Sequence, residues 1–218
     1  MRETKFAALL IWSLLFSTVA GSLHAQHKSI MIGGGLSTVL GDADLDIIDW
    51  YSYGYSLTAR YIQPFKKTDR WNITFEYTYS SMTQQGYITK ELYRPSISQN
   101  YIGAGCRFYL FNTIKEYNPY FMEFLPFLEA SGGLLTHSMS FAEPYANSND
   151  NYELTDGSYI TATVQLTGGA LLVLSQHWAL EGFIGFRFDP TDKWDGLKNP
   201  DSLGDVFVHG GIGINYAL

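Results

Sequence analysis

Six ionisable residues, Arg60, Glu76, Arg107, Glu129, Glu181 and Arg187, each stand alone in a stretch whose other polar residues are mostly Gly, Ser, Thr, Asn and Gln. Three of each sign suits a confined space. Charges held where bulk water cannot reach must pair, because an uncompensated one costs several kcal/mol. The chemistry expected of them is a structural network of ion pairs. A gated path for protons or ions is the sharper alternative, with Glu181 and Arg187 the residues to change first and His209 a lesser companion. Other groups offer less. His137 and Ser138 are adjacent, and adjacent residues of a strand point to opposite faces, so they do not form a base and its nucleophile. Asp42, Asp44 and Asp46 have a calcium-like spacing, but the twelve-residue loop would need Gly at Ile47 and Glu at Tyr53. This stretch reads as a solvated loop that could touch divalent ions held by lipopolysaccharide. Gly33, Gly34 and Gly35 lack the Lys and the following helix of a phosphate loop, and fit a bend in a strand or room for bulky neighbours. Cys106 reads as a small apolar residue. No catalytic residue, cofactor or metal is expected.

The elements that must hold the six ions are readable by parity. Over 178–189, Trp178, Leu180, Gly182, Ile184, Phe186 and Phe188 fall on one face and Ala179, Glu181, Phe183, Gly185, Arg187 and Asp189 on the other. That is period two, hence a strand. The arm from Ser158 to Leu174 repeats it, and only Ser175, Gln176 and His177 separate the two. Six further stretches alternate in the same way: 29–40, 51–63, 70–82, 97–110, 125–139 and 206–218. In 70–82, Trp71, Ile73, Phe75, Tyr77 and Tyr79 oppose Asn72, Thr74, Glu76, Thr78 and Ser80. The connections 41–50, 84–96, 141–157 and 190–204 are long and polar, and all fall at one end. The alternate ones, 64–69 and 175–177 among them, are mostly shorter; the stretch 111–124 is ambiguous.

Composition sets the address. Arg2 and Lys5 precede an apolar run from Phe6 to about Ala20, which reads as a secretory signal peptide over 1–25, leaving one domain over 26–218. No other segment is long and apolar enough for a membrane helix. Only 16% of residues are charged, against about 25% in ordinary soluble domains, while 16% are aromatic. A single cysteine excludes an internal disulfide framework, and a net charge of −7 argues against nucleic acid. Period two leaves open which way the apolar face points. A face bathed in water should be roughly 25–35% charged; here the polar face carries only scattered ions. That composition suits a narrow filled lumen, with the apolar face on lipid and Tyr51, Tyr53, Tyr61, Trp71, Phe108, Trp178, Phe186, Phe188 and Tyr216 as interfacial girdles. Closure follows, since an unpaired sheet edge is prohibitive in lipid. The expected fold is therefore all-β: an eight-stranded antiparallel up-and-down transmembrane barrel. A secreted carrier of the lipocalin type, with the apolar face inside, is the soluble alternative.

The hairpin from Gly168 to Gly182, the stretch Leu125-Pro-Phe-Leu-Glu-Ala-Ser-Gly-Gly133 and the Gly-rich last strand resemble the small outer-membrane β-barrel family, the porin-like domain with OmpA-like and PorT-like relatives. The resemblance covers the region 26–218 in pattern. It implies insertion from the periplasm by the outer-membrane assembly machinery, both termini periplasmic, and contacts with outer-membrane lipid and lipopolysaccharide. Such proteins commonly end in Phe. Here Leu218 is last, with Val208, Ile212, Ile214 and Tyr216 keeping the outward alternation. The role that follows is a non-enzymatic envelope structural or surface-interaction protein presenting its long loops to an unnamed partner. A secretion-apparatus component, as PorT-like kinship implies, or a lipid-modifying enzyme are the alternatives.

Overall fold

The computed structural model describes residues 28–40, 53–65, 70–83, 86–88, 91–93, 95–111, 123–141, 153–154, 157–189, 197–198 and 205–218. The stretch 1–25 expected to be a leader, the Asp42–Asp46 stretch, Tyr51 and most of the connections lie outside these residues. The strands are β1 (Ser29–Leu40), β2 (Tyr53–Pro64), β3 (Trp71–Thr83), β4 (Gly86–Ile88), β5 (Glu91–Tyr93), β6 (Pro95–Tyr109), β7 (Glu123–Phe141), β8 (Glu153–Leu154), β9 (Gly157–Val173), β10 (Trp178–Asp189), β11 (Leu197–Lys198) and β12 (Asp205–Ala217). Eight of them close an antiparallel barrel in the order β1-β12-β10-β9-β7-β6-β3-β2. The four short ones form two ribbons, β4 with β5 and β8 with β11, inside the long connections.

Alternation in the sequence becomes inside and outside. In β3, Asn72, Thr74, Glu76, Thr78 and Ser80 are buried while Trp71, Phe75 and Tyr77 are exposed. Ile184, Phe186, Ile32, Leu36, Ile160 and Ile212 also face outward. No charged side chain stands on the outward face of any barrel strand among the described side chains. The apolar face is therefore the outer wall, as the scarcity of charge on the polar face implied.

Register fixes heights. A row followed around the sheet from Ser29 passes Ile62, Thr74, Gly105, Ser131, Gln165, Arg187 and Phe207, and returns to β1 at Val39. The separation of Ser29 from Val39 is the barrel's stagger, which together with strand number sets its tilt and width. Eight strands at this stagger leave room for side chains, and the lumen is filled with them. Two apolar clusters occupy it: Val39, Met82, Ile97, Tyr101, Leu135, Met139 and Phe207 toward the long connections, and Met31, Tyr109, Leu125, Phe127 and Phe183 toward the short turns. Phe183 and the other apolar residues at polar-face parity thus share the lumen with the hydroxyls and the ions. Their residues share the ions' parity; most lie toward strand ends, while Tyr101 and Phe183 stand mid-strand.

β7 runs two residues further at each end than the alternation alone indicates, taking in Phe124 at its start and reaching Phe141 toward the long connections. On this side the outward residues turn polar, with Ser81, Ser98, Asn100, Thr136, Ser138 and Ser158, while the ladder continues. The hairpin between β9 and β10 is closed by Ser175 Oγ, which accepts from the N–H of Trp178 at 3.1 Å and of His177 at 3.4 Å.

Candidate functional site

All six singled-out ions point inward and are buried. Two couples are made by direct cross-strand register: Arg60 of β2 opposite Glu76 of β3, and Arg107 of β6 opposite Glu129 of β7. Arg60 donates to Glu76 Oε2 through Nη2 at 2.6 Å and Nε at 3.0 Å. Arg107 Nε donates to Glu129 Oε2 at 2.9 Å. Arg60 Nε also lies 3.4 Å from Glu129 Oε1, tying one couple to the other. From the far wall, Glu181 of β10 closes the cluster. Its Oε1 takes Arg60 Nη1 at 2.7 Å and Arg107 Nη2 at 2.8 Å, and its Oε2 takes Arg107 Nη1 at 2.9 Å and Asn215 Nδ2 at 3.3 Å. Thr74 donates to Glu129 Oε1, and Thr78 and Gln165 to Glu76 Oε1, at 3.1, 2.8 and 3.1 Å. Every carboxylate oxygen in the cluster thus has a donor, the condition under which buried charge is tolerated.

Arg187 stands apart from the other five. Among the described residues it makes no ion pair; its Nε and Nη2 donate to Gln165 Oε1 at 3.1 and 2.7 Å. Its guanidinium carbon lies 4.0 Å from the centre of the Tyr101 ring and 5.0 Å from that of Phe207. Gln165 therefore links Arg187 to Glu76 at one amide's remove. At the other end Arg107 lies 3.8 Å over Phe127 and Arg60 lies 5.6 Å over Phe183. The ionic layer is thus held between the two apolar plugs by cation–π contacts.

Two glycines make room for this stack. A Cβ at Gly133 would come within 2.7 Å of the Tyr101 ring and 2.6 Å of the Gly103 backbone, and one on Gly169 within 2.6 Å of the Phe127 ring. Gln165, Tyr101, Phe127, Phe183 and Phe207 were not singled out from the sequence. Their parity, shared with the ions, was the available signal.

The remaining candidates separate. His209 is buried inward, edge-on to Phe183 and Phe207. His137 faces the lumen beside Gln99, whereas Ser138 faces out and accepts from Ser158 Oγ at 3.1 Å, so the two form no catalytic pair. Cys106 is exposed on the outer wall. Gly33 and Gly35 face inward where β1 and β12 run close. No group of three or more potential metal ligands occurs among the described residues.

No protein-family model matches the chain, and no curated protein matches its sequence. Among solved structures, Neisserial surface protein A superposes with a TM-score of 0.55 at 10% identity, covering 91% of this chain and 100% of that one. This is the fold of a small outer-membrane β-barrel. OprG of Pseudomonas aeruginosa, with a TM-score of 0.47 at 13% identity, covers 89% of this chain and 99% of its own. Ail, the attachment invasion locus protein of Yersinia pestis, has a TM-score of 0.44 at 15% identity and covers 88% and 99%. At such identities the likeness is one of fold. In this small barrel, then, ions, plugs and glycines together fill the lumen, with five of the six ions paired and Arg187 held by an amide and two rings.

Proposed function

We propose that this chain is an outer-membrane β-barrel with a structural, occluded lumen, acting without catalysis as an envelope or surface-interaction protein through its long connections. One observation carries the membrane reading: the outward face is apolar around the whole circumference and bears no ion on any described strand position. Soluble monomers rarely expose contiguous apolar patches beyond a few hundred Å², and a closed sheet leaves no backbone group to be met by lipid. Rings stand toward both rims. Near the short turns, Trp71 packs on Phe108 at 4.8 Å and Trp178 on Tyr216 at 4.6 Å; toward the long connections, Tyr55 lies 6.2 Å from Tyr79. This is the amphipathic girdle that lipid headgroups favour.

The termini and short turns then face the periplasm and the long connections face outward. The polar outward residues of β3, β6, β7 and β9 lift the sheet above the apolar belt on that same side, which favours a role at the surface. The folded protein is expected to run faster on SDS gels unheated than boiled, and to resist alkaline extraction from envelopes. Protease added to intact cells is expected to cut in the long connections. Extraction by alkali, or cleavage only after lysis, would defeat the address or the orientation respectively. Loss of secretion in a deletion strain would move the role to a secretion apparatus, and altered lipid A would move it to a lipid-modifying enzyme.

A further inference from the structure

Just beyond the ion network, toward the long connections, lies a set of buried polar atoms that the network does not use. Arg187 Nη1, both ring nitrogens of His209, and the hydroxyls of Ser37, Ser56 and Ser80 have no hydrogen-bond partner among the described residues. Their side chains belong to β10, β12, β1, β2 and β3, which are consecutive around the barrel. None of these residues is more than 4% exposed.

Register makes them one neighbourhood. Ser37 is paired with His209, and Ser56 with Ser80. Ser37 and Ser56 are diagonal neighbours across Gly35 and Gly54, which bring no side chain into the lumen. The Phe207 ring lies 5.0 Å from the Arg187 guanidinium carbon and 5.5 Å from the His209 ring, and so joins the last two. Buried polar groups are ordinarily satisfied, and an orphaned one bears the full cost of its desolvation. Several gathered on one arc of wall define a place where a polar guest is stabilised.

The chemistry of the guest follows from the donors. Arg187 contributes a guanidinium N–H edge whose opposite side is taken by Gln165. The hydroxyls can each donate. The adjoining carboxylate cannot serve this edge, since Glu76 is engaged on one oxygen by Arg60 and on the other by Thr78 and Gln165. We propose that the upper lumen holds a binding site for a small monovalent anion, of chloride or bromide size, seated on Arg187 Nη1 and the Ser37, Ser56 and Ser80 hydroxyls beside His209. Met82 and Met139, unbranched side chains in the apolar cluster on the long-connection side, are where such an ion would exchange, slowly, with the outside. The site depends on the closed barrel alone, whichever medium surrounds the outer wall.

The test uses the full chain, folded in detergent micelles, with bromide titrated against gluconate at constant ionic strength. The readout is the temperature at which the unheated gel mobility is lost. Wild type is expected to show a saturable rise. The concentration at half effect is expected to increase at least about tenfold in Arg187→Gln, because a charge-assisted hydrogen bond is removed. Ser56→Val fills the site while leaving every ion pair intact; it is expected to weaken bromide similarly, and it decides the matter should Arg187→Gln not fold. Bromide-soaked crystals are expected to show anomalous density within hydrogen-bonding distance of Arg187 Nη1. The proposal is overturned by a wild-type transition identical in bromide and gluconate, by a bromide effect undiminished in the variants that fold, or by anomalous density on the outer wall alone.

Discussion

Glu181 is where the ion network converges, since both Arg60 and Arg107 spend donors on it and Asn215 adds a third group. Glu181→Gln would leave three buried guanidinium groups facing two carboxylates, so that one positive charge in the lumen is uncompensated. Breaking a buried pair by removing one partner costs about 3–5 kcal/mol, and a loss of that order is expected in urea titrations of the barrel refolded into micelles or vesicles. A loss under about 1 kcal/mol, the worth of an exposed pair, would mean that water reaches the layer. Size matters as sharply as charge at Gly133. Gly133→Val must displace the Tyr101 ring and with it the aromatic face under Arg187, and overpacking of this kind typically costs about 1–3 kcal/mol. Gly182→Ala, on the outer wall with nothing within 4 Å of the added carbon, is expected to leave the same titration unchanged.

Within a strand the decisive question is which face meets the apolar solvent, and β10 answers it by alternation. Ile184 lies near the middle of its outward face and Phe188 near its end toward the long connections. In lipid, an Arg at the midplane costs about 2–4 kcal/mol and about 0–1 near the interfaces. Ile184→Arg is therefore expected to destabilise the barrel in bilayers far more than Phe188→Arg; equal, small effects would place the wall in water. The direction of each face was legible in the sequence because period two needs only a count along one strand. Partnership was not. Arg60 meets Glu76 through β2–β3 register, which a hairpin suggests, but Glu181 reaches Arg60 only because the sheet closes with a particular stagger, and no local pattern encodes that. Arg187 shows the same limit. Counting charges pairs it with a carboxylate, whereas its position in the row beside Gln165 gives it an amide and two rings. The plugs escaped notice because Met31, Phe127, Phe183 and Phe207 lie at polar-face parity, where an apolar residue reads as an exception until its neighbours across the lumen are known.

For the molecule as a whole these layers act in series. A solute crossing the lumen must pass the cluster around Phe207 and Met139, then the ion-paired layer, then the cluster around Phe127 and Met31. Each blocks by a different means, the plugs by bulk and low polarity and the middle by five Arg–Glu contacts that a passing ion would have to replace. An eight-stranded interior is just wide enough for its own side chains. The barrel in planar bilayers is accordingly expected to carry no steady current. Phe207→Ala opens one plug and leaves the other two layers in place, so it too is expected to stay silent. Only a variant that thins the plugs and also removes Glu181 should conduct, and a stable open level in the wild-type protein would mean that the layers part together, making the six ions a gate and no longer a filling.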